Sequence, residues 1–188
     1  MSAPLPLPGP IALRAATDAE ANVGVQESGG ENRGKAVETY LRAVGLPAGN
    51  PWCAAFVRYR LEAAAAALKS ALPSSLPDSG WCPSYYEWAR VHGYWIPVGP
   101  IVTAISDGRQ APQMPRRGDL CCFWFAAKGR HAHIGIVTVV EARGVRTVEG
   151  NTGPDFGTEV EREGDGVFAK LRRWSALGVR GGFVRLPF

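Results

Sequence analysis

Residues 131–153 read HAHIGIVTVVEARGVRTVEGNTG, and the alternation within them decides the fold. Successive side chains of a strand point to opposite faces. On that period His133, Gly135, Val137 and Val139 share one face, and Ile134, Ile136 and Val140 take the other. Residues 142–144, Ala-Arg-Gly, suit a three-residue hairpin loop, which sets Glu141 against Val145. Carried along the hairpin, that register places Val137 opposite Glu149 and Gly135 opposite Asn151. Glu149 and Asn151 then emerge on the face of His133. Asn151 is the diagonal neighbour of the histidine, at roughly 7 Å between backbones, and Gly135 leaves the face uncrowded. His131 has the same parity as His133 but sits in a polar Lys-Gly-Arg loop at the mouth of the strand.

Working outward, GDLCCFWF (118–125) reads as a buried strand after a Pro/Gly turn, and GVFAKLRRW (166–174) and GGFVRLPF (181–188) as closing strands. The first half of the chain has helical periodicity instead. RGKAVETYLRAVG (33–45) carries Val37, Tyr40, Leu41 and Val44 at helical spacing before Gly45, and CPSYYEWARVHG (82–93) reads as a short aromatic helix. Helices first and an antiparallel sheet afterwards make an α+β domain.

Between these helices lies NPWCAAFVRYR (50–60). Asn50 suits an N-cap and Pro51 the first helical position, which makes Cys53 the third residue of a helix. Val57, Leu61, Ala64, Ala65 and Leu68 form its apolar stripe. A thiol at a helix N-terminus lies near unpaired N–H groups and the positive end of the dipole. That setting lowers a thiol pKa from about 8.5 toward roughly 3.5–7.5. A cysteine so activated needs a base, and the base needs a group that fixes its tautomer. His133 with Glu149 and Asn151 offers both. The same residues also fit a plainer reading: Cys53 packed beside Ala54 and Phe56, a strand-end histidine, an exposed Glu149, and an Asn151 that only shapes the turn at residues 150–154. Cys82, beside Pro83, also has the look of a helix start, but the sequence pairs no partner with it. Trp52, Trp81, Tyr85, Tyr86, Trp88 and Trp95 cluster around the helices as core, with a minority free to line a groove for glycan or peptide.

The chain has 188 residues, which suits one domain, and a formal net charge of +4. That balance favours anionic surfaces, but no dense Lys/Arg run marks a nucleic-acid binder. No apolar run is long enough to insert in a membrane. The N-terminus, MSAPLPLPGPIALRAA, lacks a basic segment ahead of its apolar part and so does not read as a secretory signal. Its prolines suggest an extended arm over 1–20. The four cysteines, Cys53, Cys82, Cys121 and Cys122, form neither a disulfide framework nor a zinc motif. Cys121 and Cys122 are adjacent in a strand and point to opposite faces.

In order, NPWCAAFV, PRRGDLCCFW, AHIGIV and TVEGNTG resemble the CHAP domains, the cysteine, histidine-dependent amidohydrolases/peptidases related to the NlpC/P60 cell-wall peptidases. The resemblance runs from about Val23 to the C-terminus and implies a papain-like single domain over 21–188. It matches Cys53 to the nucleophile, His133 to the base, Glu149 to the third member and Asn151 to a further polar residue lining the site. It implies hydrolysis of an amide bond in peptidoglycan, as an N-acetylmuramoyl-L-alanine amidase or a stem-peptide or cross-bridge endopeptidase, in a phage lysin, a remodelling enzyme or an antibacterial effector. Such an enzyme is expected to be monomeric, made in the cytoplasm and active on the wall after release, with an immunity or delivery protein as a candidate partner. No cofactor is expected. Some phage members hold calcium on aspartates just before the cysteine; GLPAGNPW (45–52) contains no carboxylate, so no such metal site is expected. Two other readings fit the same residues: a cysteine protease or deamidase acting on proteins, and a wall-binding module without catalysis.

Overall fold

The structure, a computed structural model, describes residues 4–154 and 164–188. In chain order the elements are α1 (Pro10–Glu20), α2 (Lys35–Arg42), α3 (Cys53–Ala67), α4 (Cys82–Val91), β1 (Trp95–Pro97), α5 (Val98–Ser106), β2 (Leu120–Phe125), β3 (Arg130–Glu141), β4 (Gly144–Thr152), β5 (Gly166–Arg173) and β6 (Gly182–Val184). The strands form one antiparallel sheet in the order β1-β6-β2-β3-β4-β5. The domain is α+β, as the succession of periodicities indicates.

Two apolar clusters lie about this sheet. One joins α1, α2, α3 and α4 to Cys122, Ile134, Ile136 and Val148. The other gathers Ile96, Ile101, Cys121, Phe123, Val137, Val145 and Trp174. Adjacent Cys121 and Cys122 therefore serve different clusters, as alternation along a strand requires. Burying side chains such as Phe56, Val57 and Leu61 of α3 contributes about 1.5–3 kcal/mol each, so α3 is firmly seated. Gly150 on β4 permits the close approach of the helix start: a Cβ there would lie 2.6 Å from Trp52 and 2.9 Å from Phe56.

Several sequence expectations need correction. Residues 10–20 are a helix, not part of an extended arm. Pro10 takes the first helical turn, where its missing N–H costs nothing, and Ala12, Ala15, Ala16 and Ala19 form a small buried face that lets α1 approach α3. The residue before α1 and its first turn are tied to the C-terminus by Gly9 N–H to Leu186 O, 2.9 Å, and Ala12 N–H to Phe188 O, 3.1 Å. The stretch 181–188 does not close the sheet; β6 lies inside it, between β1 and β2.

The hairpin register also differs. Its turn has two residues, Ala142 and Arg143, so Glu141 pairs with Gly144. An irregularity between Val137 and Val139 shifts the register once more, so that Val137 pairs with Thr147 and Ile136 with Val148. The two one-residue changes add to a shift of two. A shift of two preserves side-chain parity and brings Glu149, not Asn151, beside Gly135. A Cβ at Gly135 would lie 2.4 Å from Glu149 Cγ.

Candidate active site

Cys53 is the first residue of α3, with Trp52 at the cap position. Asn50 does not cap; its side chain donates to Pro47 O at 3.0 Å. The acceptor at the helix start is 99 residues away in sequence: Asn151 Oδ1 takes the Trp52 N–H at 2.6 Å. Asn151 has φ 58°, a left-handed conformation that turns its side chain out of strand alternation. Its Nδ2 donates to Gly164 O at 3.2 Å, so both ends of the amide are engaged away from His133. Trp52 is held a second time, by Nε1–H to Glu27 Oε1 at 2.8 Å. Asn151 thus lies in the site as a support for the helix that presents Cys53.

His133 and Glu149 are fully buried and joined directly, Nε2 to Oε2 at 2.7 Å. Glu149 also accepts from Arg172, whose Nε reaches Oε1 at 2.8 Å and whose terminal nitrogen reaches Oε2 at 2.6 Å. The Thr147 hydroxyl donates to Oε1. The His133 ring lies 5.4 Å from that of Phe123, and the Arg172 guanidinium lies 5.2 Å from the same ring. His133 Nδ1 is buried without a hydrogen-bond partner. Cys53 and His133 interact closely enough to shift each other's titration. With Nε2 taken by Glu149, Nδ1 is the nitrogen left to exchange a proton with the thiol.

The electrostatics follow from this chain of contacts. Burial pushes the Glu149 carboxyl up, but the Arg172 hydrogen bonds and charge, with those of His133, hold it well below its ordinary value. Burial pushes His133 down, yet Cys53 and Glu149 together raise it to about 9. The Cys53 thiol is held well below its ordinary value. The hydrogen bond with Cys82 lowers it most, burial opposes, and His133 and the Ala54 N–H lower it further. Burial drives Cys121 and Cys122 the other way. These shifts favour a thiolate, an imidazolium, a carboxylate and a guanidinium alternating in sign along a buried row, the arrangement in which buried charges are tolerable.

Arg172 was not anticipated, and Cys82 was noted only as a second helix-start cysteine without a place beside Cys53. Arg172 sits in the strand stretch 166–173, where Lys170 and Arg172 are buried while Ala169 and Arg173 are exposed; two cations of one parity were the available signal. Cys82, the first residue of α4, places its Sγ 3.5 Å from Cys53 Sγ. The signal was the repeated Trp-Cys pair at 52–53 and 81–82, each at a helix start. His131 is not in a polar loop. The register shift between Phe123 and Trp124 sets it opposite Trp124, and its ring packs against Tyr86 at 4.3 Å, Trp124 at 5.3 Å and Trp95 at 5.4 Å. Of the aromatics, Trp52, Tyr85 and Trp88 are core, while Trp81 is 50% exposed. Trp81 borders a depression of about 350 Å³ whose lining includes Asn50 and Pro51, three and two residues before Cys53 in the chain.

Helices packed on an antiparallel sheet, with a cysteine at a helix start and a carboxylate-bound histidine on a strand, define a papain-like domain. The family model of the CHAP domain matches residues 45–151, more than half of the chain, and the protein belongs to that family of peptidase/amidase-type hydrolases. Comparisons with curated proteins and with solved structures return no match.

Proposed function

We propose that this protein hydrolyses an amide bond of peptidoglycan, with Cys53 as nucleophile, His133 as general base and acid, and Glu149 as the group that orients and charges the imidazole. The observation that supports this most is the buried row Cys53, His133, Glu149 and Arg172, which favours a thiolate–imidazolium pair at neutral pH. The thiolate attacks the carbonyl carbon, a C–S bond forms, and the carbonyl electrons move to oxygen. His133 protonates the leaving nitrogen as the C–N bond breaks. Water, deprotonated by the same imidazole, then cleaves the thioester. The Cys53 backbone N–H at the start of α3 is suited to stabilise the oxyanion. The family's common substrate supports peptidoglycan as the target, as does the net charge of +4 against an anionic wall. The site of action is accordingly the wall or periplasm, reached after synthesis in the cytoplasm, and the working unit is a monomer.

The test is digestion of purified sacculi, with mass spectrometry of the soluble fragments and Cys53→Ala as control. Release of muropeptides with a new amine or carboxyl terminus, absent with Cys53→Ala, supports the reading. No release, together with hydrolysis or deamidation of a protein panel, overturns it in favour of a protein-directed cysteine enzyme.

A further inference from the structure

The geometry points to Cys82 as a second functional thiol of the site: its S–H donates a hydrogen bond to the Cys53 thiolate, holding that charge before attack and receiving the sulfur again when the thioester is cleaved. This rests on Cys53 being the nucleophile.

Three observations carry it. The two sulfurs are 3.5 Å apart and both are buried, at 3% and 4% exposure. Each is the first residue of its helix, α3 of 15 residues and α4 of 10 residues. The positive ends of two helix dipoles therefore converge on one sulfur pair. Two thiolates at this distance would repel strongly, so the pair carries one charge and one proton. His133 Nδ1 is buried without another partner, and interaction with His133 and with the Ala54 N–H lowers the Cys53 thiol, which assigns the charge to Cys53 and the proton to Cys82.

The consequence for the reaction is specific. During attack the Cys53 sulfur spends its charge on the new C–S bond, and the hydrogen bond from Cys82 weakens. During hydrolysis water adds to the thioester, His133 takes its proton, and the C–S bond breaks to return a thiolate to the Cys82 S–H. Cys82 keeps its proton throughout. It increases the fraction of thiolate and eases its departure, at the cost of some nucleophilicity. Nucleophilicity falls with thiol pKa with a Brønsted slope of about 0.4–0.5.

The experiment is iodoacetamide labelling of Cys53 against pH, read by peptide mapping, in the wild type, Cys82→Ala and Cys82→Ser. With Cys82→Ala the labelling midpoint should rise by about one unit, so that below both midpoints the thiolate fraction drops about tenfold and, each thiolate being about threefold more reactive, labelling drops about threefold. The alkaline plateau should rise about threefold, because the less stabilised thiolate is more reactive. Cys82→Ser, which retains a donor, should fall between the two. A purely structural role would lower both limbs together, and that result overturns the proposal. An unmoved midpoint also overturns it, while leaving Cys53 as nucleophile untouched; that reading is instead lost if Cys53→Ala still hydrolyses sacculi. Should Cys82→Ala not fold, thiolate absorbance of the wild type and Cys53→Ala decides. One thiolate at neutral pH, absent in Cys53→Ala, supports the proposal. Ionisation of Cys82 before Cys53 refutes it.

Discussion

Glu149→Gln changes one charge and almost no volume. The wild-type carboxylate accepts four hydrogen bonds: one from His133 at 2.7 Å, two from Arg172 at 2.8 and 2.6 Å, and one from the Thr147 hydroxyl. A glutamine offers one acceptor oxygen, and its NH₂ group meets donors. At least one buried donor is orphaned and the Arg172 charge loses its counter-ion. Breaking a buried pair in this way costs about 3–5 kcal/mol of stability. The loss to catalysis is about 2–4 kcal/mol of transition-state stabilisation, the scale of one preorganised electrostatic group. That is roughly 30- to 1,000-fold in kcat/KM. Losing the carboxylate also removes part of what raises His133 to about 9, so the imidazolium population at neutral pH falls and the Cys53 thiolate loses its partner. The acid limb of the rate profile should move to higher pH. Initial rates of sacculus solubilisation across pH, on protein verified as folded by circular dichroism, measure both effects. Near-wild-type rates with an unmoved acid limb would refute Glu149 as the charged member of the row.

Asn151→Gly should lower stability by about 1–3 kcal/mol, because the buried Trp52 N–H loses its acceptor. Asn151→Ala should cost about 1–2 kcal/mol more, since alanine must also adopt φ 58°. Chemical denaturation compares the two, and equal values would contradict the left-handed assignment. The pH dependence of stability has a definite sign. Glu149 is held below its ordinary value of 4.5, so its contribution is complete above that value and is lost as pH falls through the native pKa. Thermal midpoints of the wild type should drop on acidification below about pH 4, and those of Glu149→Gln should drop less; parallel curves would count against the linkage. Hydrolysis should persist in excess EDTA, since no group of three His, Cys, Asp or Glu is placed to hold a metal ion among the described residues. Loss of activity on chelation, restored by calcium, would contradict this.

Much of the fold was legible because hydrophobic period is local. Val37, Tyr40 and Leu41 gave α2, Ile134 and Ile136 gave the side of the hairpin that packs on the helices, and the succession of periods gave the class. The site was legible by face and not by distance. Alternation placed His133 and Glu149 together because an error of two residues in register leaves parity unchanged, and the same error exchanged Glu149 and Asn151 as nearest neighbour. What the sequence hid was non-local. The acceptor at α3 comes from Asn151, not from Asn50 beside it. Arg172 reaches Glu149 from β5, two strands from His133, and Cys82 meets Cys53 only because two helix starts converge. The helix α1 was obscured by its composition, since prolines precede it and its buried face is mainly alanine, too small to stand out as an apolar stripe.

The most direct measurement is a rapid acid quench of the protein mixed with sacculi, followed by peptide mapping with mass spectrometry. Catalysis through the thiolate held by His133 predicts a wall fragment attached through a thioester to the peptide containing Cys53, with Cys82, Cys121 and Cys122 unmodified and no adduct in Cys53→Ala. Sacculus hydrolysis at the wild-type rate by Cys53→Ala, or an adduct on any other residue, would contradict it.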